Sequence, residues 1–143
     1  GALLHSVEKD FSSHPSSGNN QLVLTIQSDL PEISADPERL IQVITNLISN
    51  ADRHTQNGTI TISLTGEPGW QTICVSDTGT GMSEEMRKNA LKGYVSADKD
   101  YWRHGIGLYV CHQIITAHSG KIWLKSKEGE GTQVFFSLPE EES

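Results

Sequence analysis

The chain has 143 residues, a formal net charge of −7, 35% hydrophobic residues and two cysteines. That length suits one domain with a sizeable core, and the acidic balance argues against a nucleic-acid binder working by phosphate neutralisation or a polybasic membrane contact. No apolar run reaches bilayer length, Gly1-Ala2-Leu3-Leu4-His5 lacks the regions of a signal peptide, and Cys74 and Cys111 offer no disulfide framework or metal spacing, reading instead as buried, reduced thiols in a cytosolic setting.

Residues 1–20 are polar and punctuated by Ser, Pro, Gly and Asn, the composition of a linker or frayed lead-in. Gln21 to Gln27 alternates Leu22, Leu24 and Ile26 with other positions and reads as a half-buried strand. Asp36-Pro37-Glu38 is a helix start: Asp36 caps, Pro37 fits the first helical position and Glu38 suits the positive end of the dipole. Leu40, Val43, Ile44, Leu47 and Ala51 then form an apolar stripe. Gln56-Asn57-Gly58 ends this helix, with Gly58 expected in the left-handed conformation. Thr59–Thr65 and Trp70–Ser76 read as an antiparallel strand pair around the turn Glu67-Pro68-Gly69. A short helix is expected from Ser83, then a long loop over residues 93–104. Gly105-Ile106-Gly107-Leu108 opens a helix reaching about Ala117, closed by His118-Ser119-Gly120. Strands Lys121–Lys127 and Thr132–Leu138 flank the turn Glu128-Gly129-Glu130-Gly131, before an acidic tail, Pro139–Ser143, expected to be disordered. Helices layered on a mostly antiparallel sheet make an α+β sandwich the natural architecture.

The most informative stretch lies late in the first long helix. Asn46, Asn50 and Arg53 stand at i, i+4 and i+7, on one narrow face. Two carboxamides and a guanidinium stacked that way can hold a hydrated cation and a polyphosphate, and equally can form a solvated helix face. Asp77-Thr78-Gly79-Thr80-Gly81 follows an apolar strand. Its acid can accept from an exocyclic amine, while its glycines let a flat ligand approach the backbone. A plain Asp-Gly turn is the bland alternative. Gly105–Leu108 presents free N–H groups and a helix dipole, a phosphate cradle or a loop end. Gly129-Glu130-Gly131-Thr132 is a hairpin turn first, in which Thr132 matters if it faces the same pocket as Asp77. The chain has neither P-loop nor Rossmann glycine pattern, no metal-spaced histidines and no Ser/His/Asp nucleophile arrangement.

The order of these motifs, an Asn-rich helix, Asp-x-Gly-x-Gly, a loop, Gly-x-Gly-Leu and Gly-x-Gly-Thr, resembles the catalytic ATP-binding domain of bacterial sensor histidine kinases. That domain belongs to the GHKL superfamily of gyrase, heat-shock chaperones, mismatch-repair ATPases and histidine kinases. Residues 39–51 resemble the family's N box, and Ala117-His118-Ser119-Gly120-Lys121-Ile122-Trp123 the run after its second glycine box. The resemblance covers residues 21–138, leaving 1–20 as linker and 139–143 as acidic tail. It implies a two-layer Bergerat fold, a mixed sheet of about five strands on about three helices. It implies Asn50 as a Mg²⁺ ligand, Asn46 beside it toward metal and phosphates, Arg53 on phosphate and His54 near the nucleotide. Asp77 would read adenine with Thr132 joining through water, and Gly79, Gly81 and Met82 would shape the pocket. Gly105, Ile106, Gly107 and Leu108 would close over the phosphates, under an ATP lid formed by residues 91–104.

Two positions depart from the family pattern. Leu91-Lys92-Gly93-Tyr94-Val95 is a degenerate form of the Phe-containing box, and Arg103 replaces a common glycine, where it would stiffen the lid or contact the γ-phosphate. The resemblance implies transfer of the ATP γ-phosphate to a histidine in a two-component signalling system. Hydrolytic members carry Glu where this chain has Asn46; an amide cannot serve as general base, which favours transfer to a neutral imidazole. His5 and His14 lack the setting of the family's acceptor, so the acceptor is expected on a separate dimerisation domain. The expected partners are that domain, ATP, Mg²⁺ and, through the full-length protein, a response regulator. The domain is expected to be cytoplasmic and its parent a membrane-anchored sensor. The competing readings are a serine kinase of the anti-sigma-factor type and a non-catalytic nucleotide-sensing or interaction module.

Overall fold

The computed structural model of the chain describes residues 4, 7, 9, 19–27, 30, 33, 35–81, 110–127 and 129–140. Strand β1 (Gln21–Ile26) leads to helix α1 (Pro37–His54), then to strands β2 (Thr59–Glu67) and β3 (Trp70–Asp77). Residues 110–117 are helical (α2), and strands β4 (Lys121–Lys127) and β5 (Gly131–Pro139) close the fold.

Helix α1 begins where the sequence places it. Asp36 is extended, at φ −72° and ψ 117°, and its carboxylate accepts from the Glu38 N–H at 3.0 Å. Leu40, Val43, Ile44, Leu47, Ile48 and Ala51 make the buried stripe. Fully burying one large aliphatic side chain stabilises by about 1.5–3 kcal/mol, against about 1 kcal/mol for a cap. Packing therefore holds α1, and the cap sets where it starts. Its C-cap is Thr55, and the left-handed residue beyond is Asn57 (φ 52°), not Gly58. Gly58 is needed for space instead: a Cβ there would strike the Thr78 hydroxyl and lie 2.7 Å from Thr55 Cγ2.

The five strands form one sheet in the order β1-β2-β3-β5-β4. β1 and β2 are parallel, with α1 as their crossover, and the other pairings are antiparallel. Period-2 alternation turns Ile60, Ile62, Leu64, Ile73, Val75, Val134, Phe136 and Leu138 into the core shared with α1 and with Cys111 and Ile115 of α2. This is the expected α+β sandwich with a mixed five-stranded sheet. The opposite face is rich in Ser and Thr, and near β4 it carries Trp123 stacked on Phe135, with centroids 5.5 Å apart and planes 3° apart. Lys125 Nζ lies 5.6 Å from the Phe135 centroid, on a shallow groove of about 570 Å³.

Five stretches differ from the sequence reading. Leu4, only 2% exposed, and Val7 reach the core from the segment read as a lead-in, and Asn20 at its end is buried. β2, β3 and β5 run beyond their expected ends. The start of the acidic tail is also held: Glu140 N donates to Gly69 O at 2.9 Å, and its carboxylate accepts from Gly69 N and Gln71 Nε2. The short helix expected from Ser83 and residues 141–143 lie outside the described residues.

Candidate functional site

The C-terminal half of α1 carries the Asn/Arg face. Asn50 is half-buried, and its side-chain oxygen Oδ1 is fully buried without a hydrogen-bond partner. Leaving such an atom unpaired costs about 1–3 kcal/mol, a sizeable share of the roughly 5–15 kcal/mol that holds a domain folded. A carboxamide oxygen is the hard donor that Mg²⁺ prefers, so the residue fits the metal role implied for it. Asn46 stands one turn earlier, near the Cys111 thiol of α2, which lies 3.8 Å from Val43 O and can donate to it. Burial pushes that thiol up to about 11, and the Asn46 contact pulls it back only in part. Arg53 is exposed in the last turn, and His54 beside it is half-buried. No cluster of His, Cys, Asp and Glu suited to a metal occurs among the described residues, so a cation here would depend on amide oxygens and on ligand phosphates.

At the end of β3, Asp77 is 6% exposed. Its Oδ1 accepts from Gly79 N at 2.9 Å and from Thr132 N at 3.3 Å. Asp77 and Thr132 are register partners across β3 and β5, which is how a residue 55 positions away reaches the carboxylate. Both backbone bonds fall on Oδ1. Burial raises the Asp77 pKa above the usual carboxylate range, while the Gly79 and Thr132 N–H groups, the charge of His54 and the Thr55 hydroxyl all favour the charged form. The Thr132 hydroxyl pairs with Ser126 Oγ at 2.8 Å, and Ser126 Oγ also lies 3.1 Å from Gly131 O, to which it can donate.

Three chain segments interlock around this carboxylate. Thr80 N donates to His54 O at 3.1 Å, and Gly129 N to Thr80 O at 2.7 Å. Gly79 sits so close to the end of α1 that a Cβ would strike His54 O and lie 2.7 Å from Thr55 Oγ1. Gly131, at φ +87°, has no room for a Cβ against Asp77 O. Gly81, at φ +72°, has none against Lys127 O. The glycines of Asp-x-Gly-x-Gly and of the β4–β5 turn are thus close-packing positions.

The structure brings His54, Asp77, Gly79, Gly81 and Thr132 together, with Asn46, Asn50 and Arg53 on the adjoining turns of α1. Met82, Arg103, Gly105, Ile106, Gly107 and Leu108, and the lid expected over 91–104, lie outside the described residues. Two further residues belong to the site's frame. Asn20 Nδ2 donates to Asp52 Oδ1 and to Thr55 O, each at 2.8 Å, and Asn20 Oδ1 accepts from Gly58 N at 2.9 Å, which ties down the end of α1. Thr55, 1% exposed, has a buried hydroxyl without a hydrogen-bond partner, close to Gly79. No local pattern marks either residue; a buried polar side chain just past the Asn/Arg face was the available signal for Thr55.

Known proteins resemble this chain in sequence and fold. The family profile described as histidine kinase-, DNA gyrase B-, and HSP90-like ATPase matches residues 35–142. The adaptive-response sensory kinase SasA of Synechococcus elongatus is 38% identical over 141 residues, covering 96% of this chain and 36% of that protein. SasA of Microcystis aeruginosa is 39% identical over 118 residues, covering 80% and 31%. The chain spans about a third of the length of these curated relatives. The catalytic domain of histidine kinase ThkA, in a nucleotide-free form, superposes with a TM-score of 0.83 at 26% identity over 97% of this chain and 91% of that one. Full-length ShkA in complex with AMPPNP shares the fold, with a TM-score of 0.83 at 24% identity over 99% of this chain and 30% of that one. With the profile covering most of its length and the buried acid, glycine turns and amide face in their expected order, the chain belongs to the histidine kinase-, DNA gyrase B- and HSP90-like ATPase family.

Proposed function

We propose that this domain binds ATP with Mg²⁺ and passes the γ-phosphate to a histidine on a separate dimerisation domain of a longer sensor kinase, which in turn serves a response regulator. The observation that carries the reading is the buried, unpartnered Asn50 Oδ1, an oxygen donor with no protein group to satisfy it. In this reading residues 21–138 are the catalytic unit, residues 1–20 lead into it, and 139–143 form its acidic end. Asp77 Oδ2 accepts from the adenine amino group, Thr132 joins through water, and Gly79, Gly81 and Met82 shape the base pocket. Arg53 and His54 meet the nucleotide from the last turn of α1, while Gly105, Ile106, Gly107, Leu108 and Arg103 serve the phosphates. Asn50 and Asn46 lie toward the metal, which when bound would neutralise phosphate oxygens.

The residue at 46 favours transfer over hydrolysis, since an amide cannot draw a proton from water. A neutral imidazole nitrogen needs no such base. Its bond to the γ-phosphorus forms as the bond to the bridging oxygen breaks, and ADP leaves with the electron pair. A soluble, ATP-supplied compartment is the setting this chemistry requires, and no helix among the described residues is long and apolar enough to cross a membrane. The test is to mix the domain with Mg-ATP and separate acceptor-helix domains from related kinases. Acid-labile, base-stable phosphate on the acceptor histidine is expected. Tight ATP binding without transfer to any acceptor would instead favour a nucleotide-sensing module, and acid-stable phosphoserine on a partner would favour a serine kinase.

A further inference from the structure

The C-terminal end of α1 is closed by groups from elsewhere in the chain. The last carbonyls of a helix have no partner within it, and Thr55 at the C-cap is extended rather than left-handed. Asn20, 8% exposed and 35 positions before Thr55, donates from Nδ2 to Thr55 O and to Asp52 Oδ1, each at 2.8 Å. Its Oδ1 accepts from Gly58 N at 2.9 Å. Acceptors lie on one side of this carboxamide and a donor on the other, so its orientation is fixed and both amide hydrogens are used. On either side of it, Asn19 Nδ2 donates to Asn57 Oδ1 and Gln21 N to Gly58 O, each at 3.0 Å. Asn19 and Asn57 are both left-handed, at φ 55° and 52°. Three consecutive residues at the entry to β1 thus clasp residues 52–58. We propose that Asn20 is a positioning residue of the nucleotide site: its carboxamide holds the last turn of α1 where Arg53 and His54 meet the nucleotide. The inference rests on the nucleotide reading above.

The path from Asn20 to the site is short and runs through hydrogen bonds. Arg53 and His54 lie between Asp52 and Thr55, the two residues that Asn20 holds. The His54 carbonyl accepts from Thr80 N at 3.1 Å, and Gly79 has no room for a Cβ against it. One turn of α1 is therefore gripped from one side by Asn20 and from the other by the turn that follows Asp77. Arg53 is exposed, and a long cation in solvent samples many rotamers; fixing the backbone beneath it narrows where the guanidinium reaches. Asp52 sharpens the need. A carboxylate in the last turn faces the negative end of the helix dipole, and the Asn20 donor offsets that conflict. A brace with no further role would lower stability alone. A positioning residue also acts through the residues that it places.

The experiment is calorimetric titration of ADP without Mg²⁺, well below every unfolding midpoint, into the wild-type domain and its variants. Asn20→Ala is expected to weaken ADP by about tenfold. Asp36→Ala, at the far end of α1, lowers the midpoint too and should leave ADP affinity unchanged. Arg53→Ala alone should cost about tenfold, and adding Asn20→Ala to it no more than about twofold further, because the residue through which Asn20 acts is gone. Asn20→Asp sets a carboxylate against Asp52 and should be at least as damaging as Asn20→Ala. Combining it with Asp52→Asn restores a donor–acceptor pair and should bring ADP back to within about threefold of wild type. If Asn20→Ala is insoluble, Asn20→Ser carries the same expectations. An equal loss in Asp36→Ala, fully additive losses from Asn20→Ala and Arg53→Ala, or no recovery in the exchanged pair overturns the inference. Weakened binding in Arg53→Ala beside wild-type binding in Asn20→Ala sinks this inference alone. Full affinity in Arg53→Ala removes that residue from the nucleotide reading and this inference with it. A wild-type domain with no affinity for adenine nucleotides sinks the nucleotide reading as a whole.

Discussion

The two ends of α1 are built from the same kinds of side chain and finished in opposite ways. At the N-terminal end the polar groups find partners. Asp36 caps Glu38 N, Leu40 N donates to Asp36 O at 2.9 Å, and Asp36 N donates to His118 Nε2 at 3.1 Å. His118 Nδ1 in turn lies 2.8 Å from Ile114 O, so one imidazole pins the start of α1 to the end of α2. At the C-terminal end, Asn50 Oδ1 and Thr55 Oγ1 are buried and have no partner of ordinary geometry, whereas Asp36 and Glu38 are exposed. Exposed polar groups paired across elements mark a joint of the fold, and buried ones without partners mark a place that waits for something else.

Four substitutions and one condition would break or sharpen that contrast. The largest effect is expected from Asp77→Asn, which should weaken adenine nucleotide binding on the order of 100-fold, or about 2.7 kcal/mol. Its Oδ1 can still accept from Gly79 and Thr132, so the unfolding midpoint in calorimetry should stay close to wild type. Unchanged affinity would refute the pocket assignment. Asn50→Ala should abolish the gain in ATP affinity that Mg²⁺ gives, while metal-free ADP binding stays within about threefold. A metal effect that survives in this variant puts the cation elsewhere.

Acidification comes next. Asp77 in the fold lies above its unfolded-chain value of 3.8, with burial the chief cause. Nucleotide affinity that needs the carboxylate is therefore full above the raised pKa and is lost as the pH falls through it. The empty fold responds with the opposite sign: the cost of burying the charge is present above the raised pKa and is relieved as the pH falls toward 3.8. Titrating ligand affinity and unfolding midpoint on the same samples reads both signs, and parallel losses in the two would contradict it. The smallest effects belong to the satisfied end. Asp36→Ala and His118→Ala should each cost about 1 kcal/mol of stability and leave nucleotide affinity alone. An affinity change there would dissolve the distinction between the two ends of α1.

Much of this could be read from local chemistry. Asp36-Pro37-Glu38 starts α1 because cap, proline and early acid act within a few residues, and the strands show because their alternation is one face meeting a core. The Asp-x-Gly-x-Gly turn was legible for the same reason. What sequence could not supply were contacts between distant segments. Asn20 braces residues 52, 55 and 58 from the stretch that reads as a lead-in. β5 begins at Gly131 because Thr132 pairs with Asp77 across the sheet. Gly58, expected as the left-handed residue, gave that role to Asn57 because crowding by Thr55 and Thr78 decides what fits there. Thr55 escaped notice because a buried hydroxyl without a partner leaves no mark in the spacing of residues.

The cysteines lead somewhere practical. Both are free, buried and held toward the protonated thiol, Cys111 beneath Asn46 with its pKa pushed up to about 11 and Cys74 in β3 raised by burial against the pull of Ser63. Thiolate is the species that alkylating dyes and spin labels attack, so both native sites should react slowly. A cysteine introduced at exposed Thr65 on the open face of the sheet would then be labelled selectively in the otherwise native chain. An optical or magnetic reporter could be installed there without first rebuilding the core beside Asn46.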